Sequence, residues 1–108
     1  MDDWEVDKDA KVRRRIRSIY NKTEDDFATL LDYQNYEELV EDIIFNLVHG
    51  LDRDATEAAV REYERSNMRE IAKKQSRMQD QEHREQELIF QEEARWKQRQ
   101  IDSKVGTL

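Results

Sequence analysis

The chain has 108 residues, a formal net charge of −7, 42% charged and 36% hydrophobic residues, two glycines, and neither proline nor cysteine. That length bounds it to one small domain, the missing cysteine excludes disulfides and cysteine-based zinc sites, and the acidic balance works against general affinity for nucleic acid. Few turn residues and an abundance of Glu, Arg, Gln and Ala favour long helices over a β or α/β fold. No apolar run is long enough to span a membrane or to form a signal peptide, so no membrane partner is expected. The mean hydropathy of −1.15 would suit disorder, but the apolar residues cluster in one half of the chain. A small core with a solvated extension is the expectation.

Residues 1–6 lack periodicity and read as a disordered lead-in carrying Trp4. A first helix is predicted from about Asp7 to Tyr20. Val12, Ile16 and Ile19 recur at i, i+4 and i+7 and form a narrow apolar stripe. Asp7 and Asp9 suit its positive end and the arginines its negative end. Four arginines, Arg13, Arg14, Arg15 and Arg17, crowd into five positions. They read as a solvated face partnered by local acids, or as a surface for an acidic protein partner, ahead of a phosphate-binding helix. A nucleic-acid reader of that kind is usually a net basic domain.

Thr23 to Asp26 has the spacing of a capping box and starts a short turn with Phe27, Leu30 and Leu31. Phe27 is expected to plug the core. The second helix is predicted from about Asp32 to His49. Tyr33, Tyr36, Val40, Ile43, Ile44, Leu47 and Val48 share one broad face, and Gly50 ends the helix in a left-handed conformation. Phe45 lies roughly opposite that face, among Glu38, Glu41, Asp42 and His49. It is either buried, if this helix is covered on two sides, or an exposed aromatic anchor with an acidic rim.

The third helix is predicted to begin near Asp54 and to run on without interruption. Ala55, Ala59, Val60, Tyr63 and Ile71 are expected to pack on the first two helices. Beyond Ala72 the apolar pattern collapses, and acid–base pairs at i, i+4 (Glu57–Arg61, Asp80–Arg84, Glu93–Lys97) support a solvated helix. Ile89 and Trp96 stand a heptad apart in this polar run and suggest partner contact. Sustained coiled-coil heptads are missing. The chain therefore reads as all-α, a small three-helix bundle with the last helix extended as a long charged rod. The division is a lead-in at 1–6, the bundle at 7–72, the charged helix at 73–102 and a tail at 103–108. The expected core is Val12, Ile16, Ile19, Phe27, Leu30, Val40, Ile43, Ile44, Leu47, Val60 and Tyr63.

No P-loop, glycine-rich phosphate loop or nucleophile motif occurs. His49 and His83 sit on different elements without metal-ligand spacing, and His49 suits a helix end better than a metal. The reading is non-enzymatic, without cofactor or metal.

Three segments in this order, VDKDAKVRRRIRSIYNKTEDDF from Val6, LLDYQNYEELVEDIIFNL from Leu30 and AAVREYERSN from Ala58, resemble the middle region of the CDK-activating kinase assembly factor family. That factor is a subunit of general transcription factor IIH. The resemblance is carried over residues 6–67 by motif order and spacing, and beyond them by composition. It implies a nuclear, helical anchor that docks on the arch domain of the iron–sulfur DNA helicase of that complex. Docking links the CDK-activating kinase to the core complex and restrains the helicase until DNA repair requires it. The long helix is implied to run toward the translocase subunit. The family's cysteine-rich RING finger and the segment that binds the kinase and cyclin have no counterpart in these 108 residues. Candidate partner-binding residues are Arg13, Arg14, Arg17, Tyr20, Asn21, Lys22, Glu38, Glu41, Phe45, Ile89 and Trp96. Of these Tyr20, Asn21, Lys22 and Phe45 carry the resemblance, as do Phe27 and Asn46. Two other readings stay open: a self-associating coiled-coil module, and a weak nucleic-acid-binding domain using the arginines. Direct DNA binding is not expected.

Overall fold

The computed structural model describes residues 3–106. Its elements are α1 (Asp3–Ile19), a single turn of 3-10 helix (Glu24–Asp26), α2 (Leu30–His49), α3 (Arg53–Ser66) and α4 (Met68–Gly106). Among the described residues there is no strand, and the class is all-α. Met1 and Asp2 of the expected lead-in, and Thr107 and Leu108 of the expected tail, lie outside the described residues. The chain divides into two compact units, Met1–Gln75 and Ser76–Leu108, with the boundary inside α4.

In the first unit, α1 begins at Asp3, ahead of the Asp7 start expected from the apolar stripe. Asp3 and Glu5 supply acidic side chains for its first turn, where the helix dipole favours them. Trp4 is exposed, with the Lys8 ammonium 5.2 Å from its ring. After α1, the Asp26 carboxylate accepts the Thr23 N–H at 2.8 Å, and Lys74 of α4 reaches the same oxygen at 2.8 Å. The turn expected at Thr23 therefore forms, and the lysine ties it to α4.

A second capping threonine governs α2. Thr29 Oγ1 accepts the Asp32 N–H at 3.1 Å, so the helix starts at Leu30 rather than at Asp32. Leu30 is then the first residue of α2, more than two turns ahead of Val40, where the buried residues of this helix begin. This corrects its expected core position: Leu30 is 57% exposed. Gly50 closes α2 at φ 67° and its N–H bonds to the Asn46 carbonyl, in the left-handed region that costs glycine nothing.

Asp52 precedes α3 at φ 44°, a conformation Asp tolerates better than most residues. The third helix is not continuous to the end of the chain. Asn67 ends it: its side-chain Nδ2 and its N–H both bond to the Tyr63 carbonyl at 2.9 Å. Asn is suited to this because its amide competes with the helical ladder. The Asn67 carbonyl then accepts the Ile71 N–H at 2.9 Å and starts α4.

The core comprises Ile16, Ile19 and Tyr20 from α1 and its end, Val40, Ile43, Ile44, Leu47 and Val48 from α2, Val60 from α3 and Ile71 from α4, with Val12, Tyr36 and Tyr63 packed against them. Ile16, Ile44, Val40 and Val60 are the largest fully buried side chains. Each such side chain contributes about 1.5–3 kcal/mol by leaving water. Ala55 and Ala59, expected inside, are exposed. They border an open groove described below.

In the second unit, α4 continues to Gly106 and every residue from 76 to 106 is exposed. Its side-chain links include Gln81 to Glu85 at 3.2 Å and Gln98 to Asp102 at 3.0 Å. The ion pairs expected at Asp80–Arg84 and Glu93–Lys97 are not closed.

Candidate partner-binding surfaces

The arginine-rich stretch is largely an internal device. Arg15 makes a bidentate pair with Glu57 of α3, at 2.9 and 2.7 Å. Arg17 reaches Glu37 and Glu41 of α2, each at 2.9 Å. Arg13 bonds Asp9 at 3.1 Å and also pairs with Glu41. The three guanidinium groups therefore clamp α1 to α2 and α3. Their carboxylate partners respond: Arg13 and then Arg17 hold the Glu41 carboxyl below the usual carboxylate range, and Arg15 does the same for Glu57. Glu57, expected to pair with Arg61 on its own helix, is bound by Arg15 instead. Arg14 makes no ion pair among the described residues and stays exposed. Of the arginines in this stretch, it is the one whose charge is free.

Tyr20, Asn21 and Lys22 serve the bundle. Tyr20 is 3% exposed and stacks on Tyr63 with ring centres 4.0 Å apart. The Asn21 amide donates to the Ile71 carbonyl at 3.1 Å, joining the end of α1 to the start of α4. The Lys22 N–H donates to the Tyr36 hydroxyl at 3.2 Å, and its ammonium lies 5.8 Å from the Phe27 ring. Phe27 is half-buried, packed on Tyr36 at 5.0 Å and Tyr33 at 5.8 Å. The Tyr63 hydroxyl is buried beside Tyr36 without a hydrogen bond of good geometry. Burial raises the pKa of Tyr20, Tyr36 and Tyr63 alike. The residues that define this corner to a reader of the sequence are thus held by packing and backbone bonds.

Phe45 is different. It is 55% exposed, with the His49 ring 4.4 Å away. Glu38 and Asp42 are exposed on the same helix, as is Leu31. Of the two readings of Phe45, the exposed one matches the structure, because α2 is covered along its Tyr33–Val48 stripe and not on the side that carries Phe45. Glu41 belongs to the arginine clamp rather than to an acidic rim around Phe45.

A groove absent from the sequence reading runs between α2 and α3, with a cavity of about 730 Å³. Its lining includes Tyr20, Ile43, Tyr63, Leu39, Ala55 and Ala59, and Asp42, Asp52 and Glu62 stand around it. The available signal was the i, i+4 pair of alanines together with Leu39 lying off the main stripe. In the second unit, Ile89 and Trp96 are both 56% exposed, in a helix that also exposes Leu88, Phe90, Ile101 and Val105. Among the described residues no group of three or more metal-ligating side chains is assembled.

A family model described as CDK-activating kinase assembly factor MAT1 matches residues 1–106. The chain is 39% identical over 106 residues to RNA polymerase II transcription factor B subunit 3 of Saccharomyces cerevisiae, covering 96% of this chain and 33% of that protein. It is 46% identical over 76 residues to the subunit of the same name in Debaryomyces hansenii, covering 70% of this chain and 22% of that protein. To the CDK-activating kinase assembly factor MAT1 of Xenopus laevis it is 30% identical over 100 residues, 93% of this chain and 32% of that protein. The chain thus spans about a third or less of the length of these relatives.

Proposed function

The chain belongs to the CDK-activating kinase assembly factor MAT1 family, and from that premise we propose that it is a non-enzymatic assembly module of transcription factor IIH. In this reading it docks on the arch domain of the complex's iron–sulfur DNA helicase, tethers the CDK-activating kinase to the core complex and restrains the helicase while docked. Its place of work is the nucleus. The observation that carries the reading is the family match over residues 1–106, nearly the whole chain.

The structure supports a surface for this role. Phe45 is a large aromatic side chain held half-exposed on a helix whose opposite stripe is buried. An aromatic that fills a partner's pocket tends to dominate binding energy. Arg14 adds an exposed, unpaired positive charge suited to an acidic partner, whereas Arg13 and Arg17 act indirectly, by fixing α1 against α2. The exposed Ile89 and Trp96 support a second contact along α4, with the translocase subunit.

Calorimetric titration of the 108-residue chain into the isolated arch domain tests the reading. Micromolar or tighter binding, weakened roughly tenfold or more by Phe45→Ala with helicity unchanged, is the expected result. Arg14→Glu should slow association and reduce its dependence on salt. Absence of binding would sink helicase docking as the role of this region. Addition of the chain should also slow unwinding by the helicase, and an unchanged rate would leave tethering without restraint.

A further inference from the structure

We propose that the groove between α2 and α3 is a second docking site, and that it takes a basic amphipathic helix from a partner protein. The site goes beyond the helicase-docking reading and does not depend on it. At 100° per residue, Leu39 lies about a third of a turn around α2 from Phe45, so the two surfaces face different directions.

The shape of the groove fits a helix. Ala55 and Ala59 lie one turn apart on α3, and Glu62 and Ser66 continue the same face. Their small side chains let a neighbouring helix axis come within about 8–10 Å. Opposite them, Leu39 of α2 is half-exposed and Ile43 forms part of the floor with Tyr20 and Tyr63. A helix laid between such walls would insert apolar anchors at i, i+3 or i+4, and i+7. The α3 wall, Arg53–Ser66, is about 21 Å long at 1.5 Å per residue, so roughly four turns of a partner would fill it.

The charge around the groove selects the flanks of that helix. Asp42, Asp52 and Glu62 are its charged lining residues, and the lining contains no lysine or arginine. Glu37, Glu41 and Glu57, outside the groove, hold the α1 arginines. Asp42 and Asp52 make no ion pair among the described residues, and Glu62 pairs with its exposed neighbour Arg65. The charged groups lining this open apolar groove are therefore all acidic, and two of them, Asp42 and Asp52, are unpaired among the described residues. Lysines or arginines flanking an apolar stripe would meet it, and acidic flanks would be repelled.

Two synthetic peptides of about four turns provide the probe, both with a leucine stripe at helical spacing, one with lysine flanks and the other with glutamate flanks. Backbone amide shifts of the 108-residue chain report where each binds. The lysine peptide is expected to move Leu39, Ala55 and Ala59 and to leave Phe45 unmoved. Ala59→Arg should weaken it at least about tenfold by filling the groove. Asp42→Lys, which keeps the groove's shape, should weaken it several-fold, as should raising salt from about 50 to about 300 mM. Equal binding of the glutamate peptide, shifts confined to the Phe45 face or to residues 88–105, or no binding at all would each overturn the proposal. So would sedimentation showing a dimer whose formation alone shifts Leu39 and Ala59, because the occupant would then be a second copy.

Discussion

Residues 40–48 and residues 84–92 are both nine-residue stretches inside α-helices, and different forces hold them helical. In the first, Val40, Ile43, Ile44, Leu47 and Val48 are buried against α1 and its neighbours. In the second every side chain is exposed, leaving intrinsic propensity and local side-chain contacts worth tenths of a kcal/mol each. Helical periodicity with a buried face ties the first stretch to a cooperative core. Composition alone sustains the second, and helices of that kind are marginal in water. Equal helicity therefore conceals unequal stability.

The largest expected effect comes from the core. Ile44→Ala should lower the unfolding free energy of the bundle by about 2–5 kcal/mol, a large share of what so small a unit possesses. Circular dichroism should show an earlier cooperative transition for the bundle, with the gradual loss of signal from residues beyond Gln75 unchanged by the substitution. If all helicity vanished in one earlier step, the two regions would form one cooperative unit and the contrast would fail.

Arg84→Gly probes the other side. It should cost about 1 kcal/mol of local helix stability and reduce total helicity, with no change in the bundle's midpoint. Hydrogen exchange on the unmodified chain sharpens the same point: the amides of residues 84–92 should exchange far faster than those of residues 40–48. Comparable protection in the two stretches would contradict the comparison.

Acid should act on the bundle before it acts on the extended helix. Glu41 and Glu57 have depressed pKa values, chiefly from Arg13 and Arg15, and Asp26 from Lys74. A carboxylate with a depressed folded pKa stabilises the fold above its unfolded pKa, about 4. That stabilisation is lost as pH falls through the lower folded value. The bundle's midpoint should therefore drop progressively below about pH 4. A midpoint that stayed constant down to pH 2 would remove these pairs from the stability of the fold.

The smallest effects belong to single surface pairs. Arg15→Ala breaks the bidentate contact with Glu57 and should cost about 0.2–1 kcal/mol, since both partners remain partly in water. Phe45→Ala should change stability by less than about 0.5 kcal/mol. A loss of several kcal/mol would show that the ring packs in the core.

Much of this was legible before any coordinates. The stripes at Val12, Ile16 and Ile19 and along Tyr36–Val48, the stop at Gly50 and the collapse of pattern beyond Ala72 are local signals, and local signals determine helices. Those signals also defined the all-α class, and the motifs between Val6 and Asn67 identified the family. Boundaries were less secure, because rival caps looked alike. Thr29 and Thr23 both precede an aspartate by three residues, and only packing showed which one opens α2. Asn67 interrupts a run that has neither proline nor glycine, through hydrogen bonds to Tyr63.

Which helix lies opposite each face was beyond the sequence. Tyr20 and Phe45 are both aromatic residues in matching motifs, yet one is buried against Tyr63 and the other faces solvent. Arg13 and Arg14 are adjacent and chemically identical, yet one clamps two helices and the other is free. Helical period assigns residues to faces, but burial and charge pairing depend on which helix lies opposite. Glu41 and Glu57 stand 28 and 42 positions from their partners Arg13 and Arg15, distances over which no local pattern carries information. The groove beside Ala55 and Ala59 has the same origin, since a concavity exists only once two helices have been set side by side.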